Sequence, residues 1–223
     1  EQSNYLVNVL RRKPEDQCLV FNGRDGAYLA TITATGKKSV ALLLAEQTAE
    51  QTQPNDLWFG FAPIKRLDYV VQKATEMGVG VIAPVITHHV QNARIKMDKL
   101  AANVIEAAEQ CEVISVPTIS EPRTLPEVLD DWPARQGDRV LIFCDEAADS
   151  RSPVKAIAGL KGSPLGLLIG PEGGFSKDER QLLISSPFVH SISLGPRILR
   201  ADTAAVAALA LIQAVAGDWG NEY

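Results

Sequence analysis

A small antiparallel β-domain followed by a larger domain on a parallel α/β sheet is the architecture this sequence predicts, and three observations carry it. Residues 5–44 alternate short apolar runs with turn-forming pairs. The tract from Ala45 to Asp56, with EQTAEQTQPN at its heart, shows no apolar periodicity and reads as a linker. From Leu57 onward strand-like and helix-like segments alternate, the pattern of a parallel sheet with helical crossovers.

In the first part, CLVFNGRDGAYLATITATGKKSVALLL holds three strand-like runs split at Asn22-Gly23, Asp25-Gly26 and Gly36-Lys37-Lys38. The second part opens with LWFGFAP as a strand. A helix from about Lys65 to Met77 follows and ends at Gly78. VIAPVIT is the next strand, then a helix from about Met97 to Cys111. RVLIFCDE and LGLLIG are further strands, followed by a helix from about Lys177 to Ser185, the strand SISLG, and a final helix from about Ala201 to Ala216. That last helix is apolar nearly all round and rich in alanine, so it packs closely against other backbone, within the domain or across a subunit contact. The boundary between the parts falls at residues 53 and 54, giving domains 1–53 and 54–223.

Composition bounds the function. With 223 residues, 46% hydrophobic and 22% charged, the chain is globular and excludes disordered and fibrous classes. The longest apolar stretch, Ala204 to Ala216, is interrupted by Gln213 and too short for a bilayer span of about 20 residues. No membrane partner is expected. The opening EQSNYLV has neither an initiator Met nor a basic-then-apolar leader. Cys18, Cys111 and Cys144 lack CxxC spacing, which excludes a zinc ribbon and suits a reducing cytoplasm. The net charge of -5 argues against non-specific nucleic-acid binding by bulk charge, but in the first 38 residues basic side chains exceed acidic ones by two.

Two segments carry chemistry. Leu167-Leu168-Ile169 runs into Gly170-Pro171-Glu172-Gly173-Gly174-Phe175 and a helix capped by Ser176, with Glu179 completing a capping box. Ligands of open α/β sheets bind at such strand ends. The bare GxxGG string reads as well as a tight turn needing glycine. A phosphate loop would want a Lys after the glycines, and none follows. The second segment repeats the logic: Ile192-Ser193-Leu194, a turn at Gly195-Pro196-Arg197, then Ile198-Leu199-Arg200 leading into the last helix. Two glycine turns at neighbouring strand ends can form one backbone-lined pocket for a planar heterocycle. Arg200 opposes the helix dipole; its plain role is an ion pair with Asp202 or Glu172. His88 and His89, adjacent at a strand end, should point to opposite sides, with His190 remote, so no metal is expected.

LIGPEGGFS and LGPRILRADTA, together with RLDYVVQKATEMGV at 66–79 and EAAEQC at 106–111, resemble the bacterial RsmE family of 16S rRNA uridine-N3 methyltransferases, of the SPOUT class. The likeness runs from Asn4 to the C-terminus and includes NYLVNVLR and LVFNGRDG. It implies an α/β SPOUT methyltransferase domain with a C-terminal trefoil knot, preceded by a small PUA-like RNA-binding β-barrel. It implies S-adenosylmethionine as cofactor, 16S rRNA of the small subunit as substrate, a cytoplasmic homodimer and no metal.

Carried over by position, the resemblance makes Ile169, Gly170, Glu172, Gly173, Gly174, Leu194, Gly195, Ile198, Leu199 and Thr203 cofactor-binding residues. Arg200 would stabilise the uracil as negative charge develops, since Arg cannot serve as the base. Glu172 would share the catalytic role, with Asp202 as a second acidic candidate. Arg11, Arg12, Lys13, Lys37 and Lys38 would contact RNA phosphates. Where many family members read EQCGR, this chain has Cys111-Glu112-Val113, so any RNA contact from that arginine is absent. The rival readings are a SPOUT enzyme acting on a tRNA base or ribose 2'-oxygen, and a non-catalytic rRNA-binding assembly factor.

Overall fold

A computed structural model of the chain describes residues 2–36, 39–90, 94–148 and 152–220. It falls into two units, 1–53 with 114–116, and 54–113 with 117–223.

In the first unit a helical turn opens the chain, α1 (Gln2–Asn4) continuing as a π-helical stretch over Tyr5–Val9. The apolar run at Tyr5 is therefore helical, where the β-domain reading began at residue 5. Three strands follow, β1 (Gln17–Phe21), β2 (Ala27–Thr35) and β3 (Val40–Ala49), antiparallel in the order β1-β2-β3. Asn22 shapes the first turn: its side-chain oxygen accepts the N–H groups of Arg24 and Asp25, each at 3.0 Å. Two readings need correction. Ala45 to Ala49 lie in β3, not in a linker, because Glu46 and Gln47 pair with Leu29 and Tyr28 whatever their polarity. And the described residues form an open three-stranded sheet, with no ladder joining β1 to β3 into a barrel.

The second unit is built on seven parallel strands. These are β4 (Leu57–Phe61), β5 (Val81–Ile86), β6 (Thr118–Ile119), β7 (Arg123–Thr124), β8 (Val140–Cys144), β9 (Leu165–Ile169) and β10 (Val189–Ile192). Their order is β10-β8-β9-β4-β5-β6, with β7 also on β5. β4 and β9 are buried at every residue, as central strands covered on both faces must be.

The helices are α2 (Leu67–Glu76), α3 (Met97–Cys111), α4 (Leu125–Asp130), α5 (Trp132–Gln136), α6 (Pro153–Ala158), α7 (Lys177–Ser185) and α8 (Ala201–Val215). α8 packs on α2, α6 and β9, and α3 packs on α2. α4 meets α7 and β5 in a separate layer. Alternation along the strands feeds both layers: Trp58, Val85, Leu141, Phe143 and Leu168 join Leu125, Leu129 and Trp132 in one cluster. The last helix begins where the sequence places it and ends at Val215, with Ala205, Ala208, Leu209 and Ile212 buried. Gln213 is buried among them and donates to the Met77 carbonyl at 2.5 Å, so its polar interruption ties α8 to the end of α2. No described helix is long and apolar enough to cross a membrane.

Trp132 anchors the α4 layer. It is 1% exposed, meets Trp58 edge to face at 4.9 Å, stacks on Phe188 at 5.7 Å, and donates its indole N–H to the Arg139 carbonyl at 2.9 Å. Trp132→Ala is expected to destabilise the second unit by about 3–5 kcal/mol, read from its unfolding in urea. A loss below about 1 kcal/mol would show that this aromatic layer does not hold the sheet.

Candidate active site

The C-terminal ends of three adjacent strands, β8, β9 and β10, open onto one cavity of about 620 Å³. That volume lies in the ordinary range of small-molecule sites, about 300–1,000 Å³. Residues 143–147, 169–175 and 193–199 form its walls, with Arg180 and Ala204.

The glycine loop after β9 is fixed at both ends. Ser176 caps α7 by accepting the Glu179 N–H at 3.2 Å, and Glu179 Oε2 accepts the Ser176 N–H at 2.8 Å, the capping box the sequence predicts. The same carboxylate accepts the His88 N–H on Oε1 at 2.7 Å, which joins the loop to the end of β5. At the other side Glu172 Oε1 accepts the Lys65 N–H at 3.2 Å. Gly170 is required by space: a Cβ there would stand 2.6 Å from the Phe175 ring, which itself meets Phe143 edge to face at 5.2 Å. Gly195 is required by conformation, with φ +111° and open space where a side chain would project.

Of the residues assigned to a cofactor, Ile169, Gly170, Glu172, Gly173, Gly174, Leu194, Gly195, Ile198 and Leu199 line this cavity. Thr203 does not, although its neighbour Ala204 does. The reason is geometric: Thr203 sits in the first turn of α8 and is exposed on a different side of the helix. Arg200 also lies outside the large cavity. It borders a cleft of about 10 Å³ next to it, lined by Ile64, Arg66, Glu172, Arg200, Ala201 and Asp202. Asp202 is a buried carboxylate there, and its nearer partner is Arg66 at 3.2 Å; Arg200 Nε stands 4.0 Å away.

The sequence reading left three charged residues unassigned. Asp145, at the end of β8, is 9% exposed and accepts from Arg180 Nε at 3.0 Å and Nη2 at 2.7 Å, while its other oxygen accepts the Ala147 N–H at 3.1 Å. That hydrogen bond and charge raise the Arg180 pKa above its ordinary value. The strand end at Asp145 was readable as a ligand-loop position by the rule applied to β9. Nothing in the local sequence marks Arg180 or Arg66, whose partners are 35 and 136 residues away.

His88 and His89 lie in a short 3-10 turn, His88–Val90, rather than at a strand end. Their rings therefore meet edge to face at 5.0 Å instead of pointing apart. In the first unit Arg11, Arg12 and Lys13 are exposed in the stretch before β1, with Arg11 at φ +54°. Lys37 and Lys38 lie outside the described residues.

The chain matches two family models, one described as an RNA methyltransferase domain over residues 49–213 and one as an RNA methyltransferase PUA domain over residues 1–44. It is 34% identical to the ribosomal RNA small subunit methyltransferase E of Rickettsia conorii, over 94% of this chain and 85% of that protein. To the Bacillus subtilis protein of the same name it is 26% identical, over 95% and 87%. Among solved structures, the Neisseria gonorrhoeae ribosomal RNA small subunit methyltransferase E, bound to S-adenosyl methionine, superposes with a TM-score of 0.79 at 26% identity, covering 98% of this chain and 90% of that one. A TrmH/SpoU tRNA modifying enzyme of Aquifex aeolicus, 14% identical with a TM-score of 0.51 over 75% and 79%, shares the fold alone.

Cys144 borders the cavity, and burial pushes its thiol up to about 12. At pH 8 it is a neutral, poor nucleophile. Treatment of the folded protein with iodoacetamide at that pH is expected to alkylate the exposed Cys111 and spare Cys144, read by peptide mass mapping. Rapid labelling of Cys144 would show that burial does not hold its thiol in the neutral form.

Proposed function

The chain belongs to the RNA methyltransferase family whose domain spans its residues 49–213, and from that membership we propose that it methylates N3 of a uridine in 16S rRNA, using S-adenosylmethionine, in the cytoplasm. The observation that carries this reading is the cavity at the ends of β8, β9 and β10, whose lining includes nine of the ten residues assigned to the cofactor from the sequence. The small-subunit rRNA activity in the names of the Rickettsia and Bacillus relatives supports the substrate.

The cavity's own chemistry suits that cofactor. Apolar side chains of Phe143, Ile169, Leu194, Ile198 and Leu199 can enclose a planar base, while the backbone of the glycine turns offers N–H and C=O groups to its edge. When bound, S-adenosylmethionine supplies a methyl group already activated on a sulfonium. The protein's residues then orient the acceptor, exclude water and manage charge. Uridine N3 carries a proton on its pairing edge, so the target base must be unpaired or flipped out. Arg200, 72% exposed beside the cavity, is placed to stabilise the uracil as negative charge develops. Glu172 is the acidic group shared by the cavity and the small cleft, and is the candidate to accept the N3 proton.

The remaining architecture belongs to the same proposal. β10 lies at the sheet edge beyond β8, yet α8, which follows it, packs on β9, α6 and α2. A return of the segment 193–200 across the strand ends is the path expected of a trefoil knot. Residues 1–53 would form the RNA-binding domain and 54–223 the methyltransferase domain, with Arg11, Arg12, Lys13, Lys37 and Lys38 on phosphates. A homodimer is supported by Ile198, 81% exposed at the cavity rim, and by the partly open Ala207, Ala210 and Ala214 side of α8. Thr203, in the first turn of that helix, remains a candidate for the cofactor only in such an assembly.

The test incubates the protein and labelled S-adenosylmethionine with small ribosomal subunits lacking the modification, then maps the product by reverse-transcription stops and nucleoside mass spectrometry. Labelled 3-methyluridine is expected; transfer to tRNA alone would overturn the reading. Arg200→Ala should keep cofactor binding by calorimetry and lose turnover by about 100-fold or more. Lost cofactor binding in a folded variant would move Arg200 into the cofactor site.

A further inference from the structure

The small cleft beside the cavity is organised around one buried carboxylate. Asp202 lies in the first turn of α8 with its side chain 8% exposed. Its Oδ1 accepts the Thr203 N–H at 2.9 Å and its Oδ2 accepts Arg66 Nη1 at 3.2 Å. Arg200 Nε stands 4.0 Å from Oδ1, too far for a hydrogen bond. Two guanidiniums thus flank opposite oxygens of one carboxylate, but only Arg66 is held by it.

A carboxylate this buried needs compensation, and Arg66 supplies part of it. Arg66 has more to offer than that bond uses. Its side chain is 62% exposed, a guanidinium carries five donors, and among the described residues it makes no other side-chain hydrogen bond. Arg66 stands at the start of α2, in the segment that leaves β4 at Phe61, and the Lys65 N–H next to it ties that segment to Glu172 of the glycine loop. The backbone that carries Arg66 is therefore tied to the cavity wall, and Asp202 holds one end of its guanidinium.

Charge and size narrow what it takes. The N–H groups at the start of α8 present the positive end of that helix dipole, which favours an anion. Glu172, exposed in the same lining, and Asp202 are the opposing charges. A cleft of about 10 Å³ has room for one oxygen atom, not a base. An oxygen of a larger anionic group lying outside it fits, and the fork of a guanidinium suits a phosphodiester.

We propose that Arg66, held by Asp202, grips an RNA backbone phosphate next to the reacting nucleotide, leaving Arg200 free to act on the base. The proposal rests on the RNA methyltransferase reading above. Asp202 is then a positioning residue: it spaces the phosphate anchor from the group facing the uracil.

The kinetic signature differs from that of Arg200. A phosphate contact contributes to binding the RNA before and during the reaction, so its loss raises KM and leaves kcat. Methylation of unmodified small subunits is measured between about 50 and 200 mM salt at constant magnesium for wild type, R66A, R66Q and R66K. R66A and R66Q should raise KM for the subunit by about 10-fold with cofactor affinity by calorimetry unchanged. The slope of log(kcat/KM) against log salt should become shallower by about 0.7, one phosphate's worth on a single strand. R66K, which keeps the charge and loses the fork, should recover the slope but only part of the KM.

An unchanged salt slope in R66A and R66Q with an active wild type would overturn the proposal alone. So would a fall in kcat and cofactor affinity without a change of slope, since Arg66 would then serve only to seat α8. Inactive wild type on these subunits would overturn the underlying reading, and this proposal with it.

Discussion

The site depends on where one carboxylate is placed. Glu179, 9% exposed, accepts two backbone N–H groups at once, that of Ser176 at the start of α7 and that of His88 beyond β5. Burying an ionised group is costly unless hydrogen bonds replace its water, and two short, charge-assisted ones do so here. The helix N-terminus adds a favourable field. Together they fix the exit of the glycine loop, and with it the cavity wall from Ile169 to Phe175. Phe175 then closes on Gly170 from within the loop.

Two further carboxylates repeat the device, Asp145 in the cavity wall and Asp202 in the cleft beside it. Asp145 holds Arg180, and Asp202 holds Arg66. In each pair the acid is about 8% exposed and the arginine much more so, 41% for Arg180 and 62% for Arg66. The acids are thus spent on positioning, while part of each cation stays at the surface. The net charge of -5 does not reveal this local exposure of cations. Bulk charge counts every residue once; a polyanion meets only the side chains that face it.

Much of this was legible in the sequence because it is written in local chemistry. The capping box at Ser176 and Glu179, the glycine stops at Gly78 and Gly195, and the period change at Leu57 depend on residues within a few positions of one another. The helices at 97–111 and 177–185 were readable to the residue. α4 was equally readable, since Thr124 and Glu127 form a second capping box, but its apolar run is too short to attract attention by periodicity. Polar residues of β3 were misread because an exposed strand has no apolar face to alternate, and only its pairing with β2 identifies it. Arg66 and Arg180 were invisible for a different reason. Their meaning lies in partners brought close by the sheet, and no short window contains both members.

The strand order has a consequence for how the protein is made. β4, near the middle of the sheet, pairs with β9, more than a hundred residues later in the chain, and β8 is sealed on its outer side only by β10. Every wall of the cavity comes from residues 143–204. As the chain leaves the ribosome, the sheet stays half built and the cavity has no complete wall until synthesis is almost finished. With this topology the cavity is completed as a late event, so chains broken off in translation would lack it.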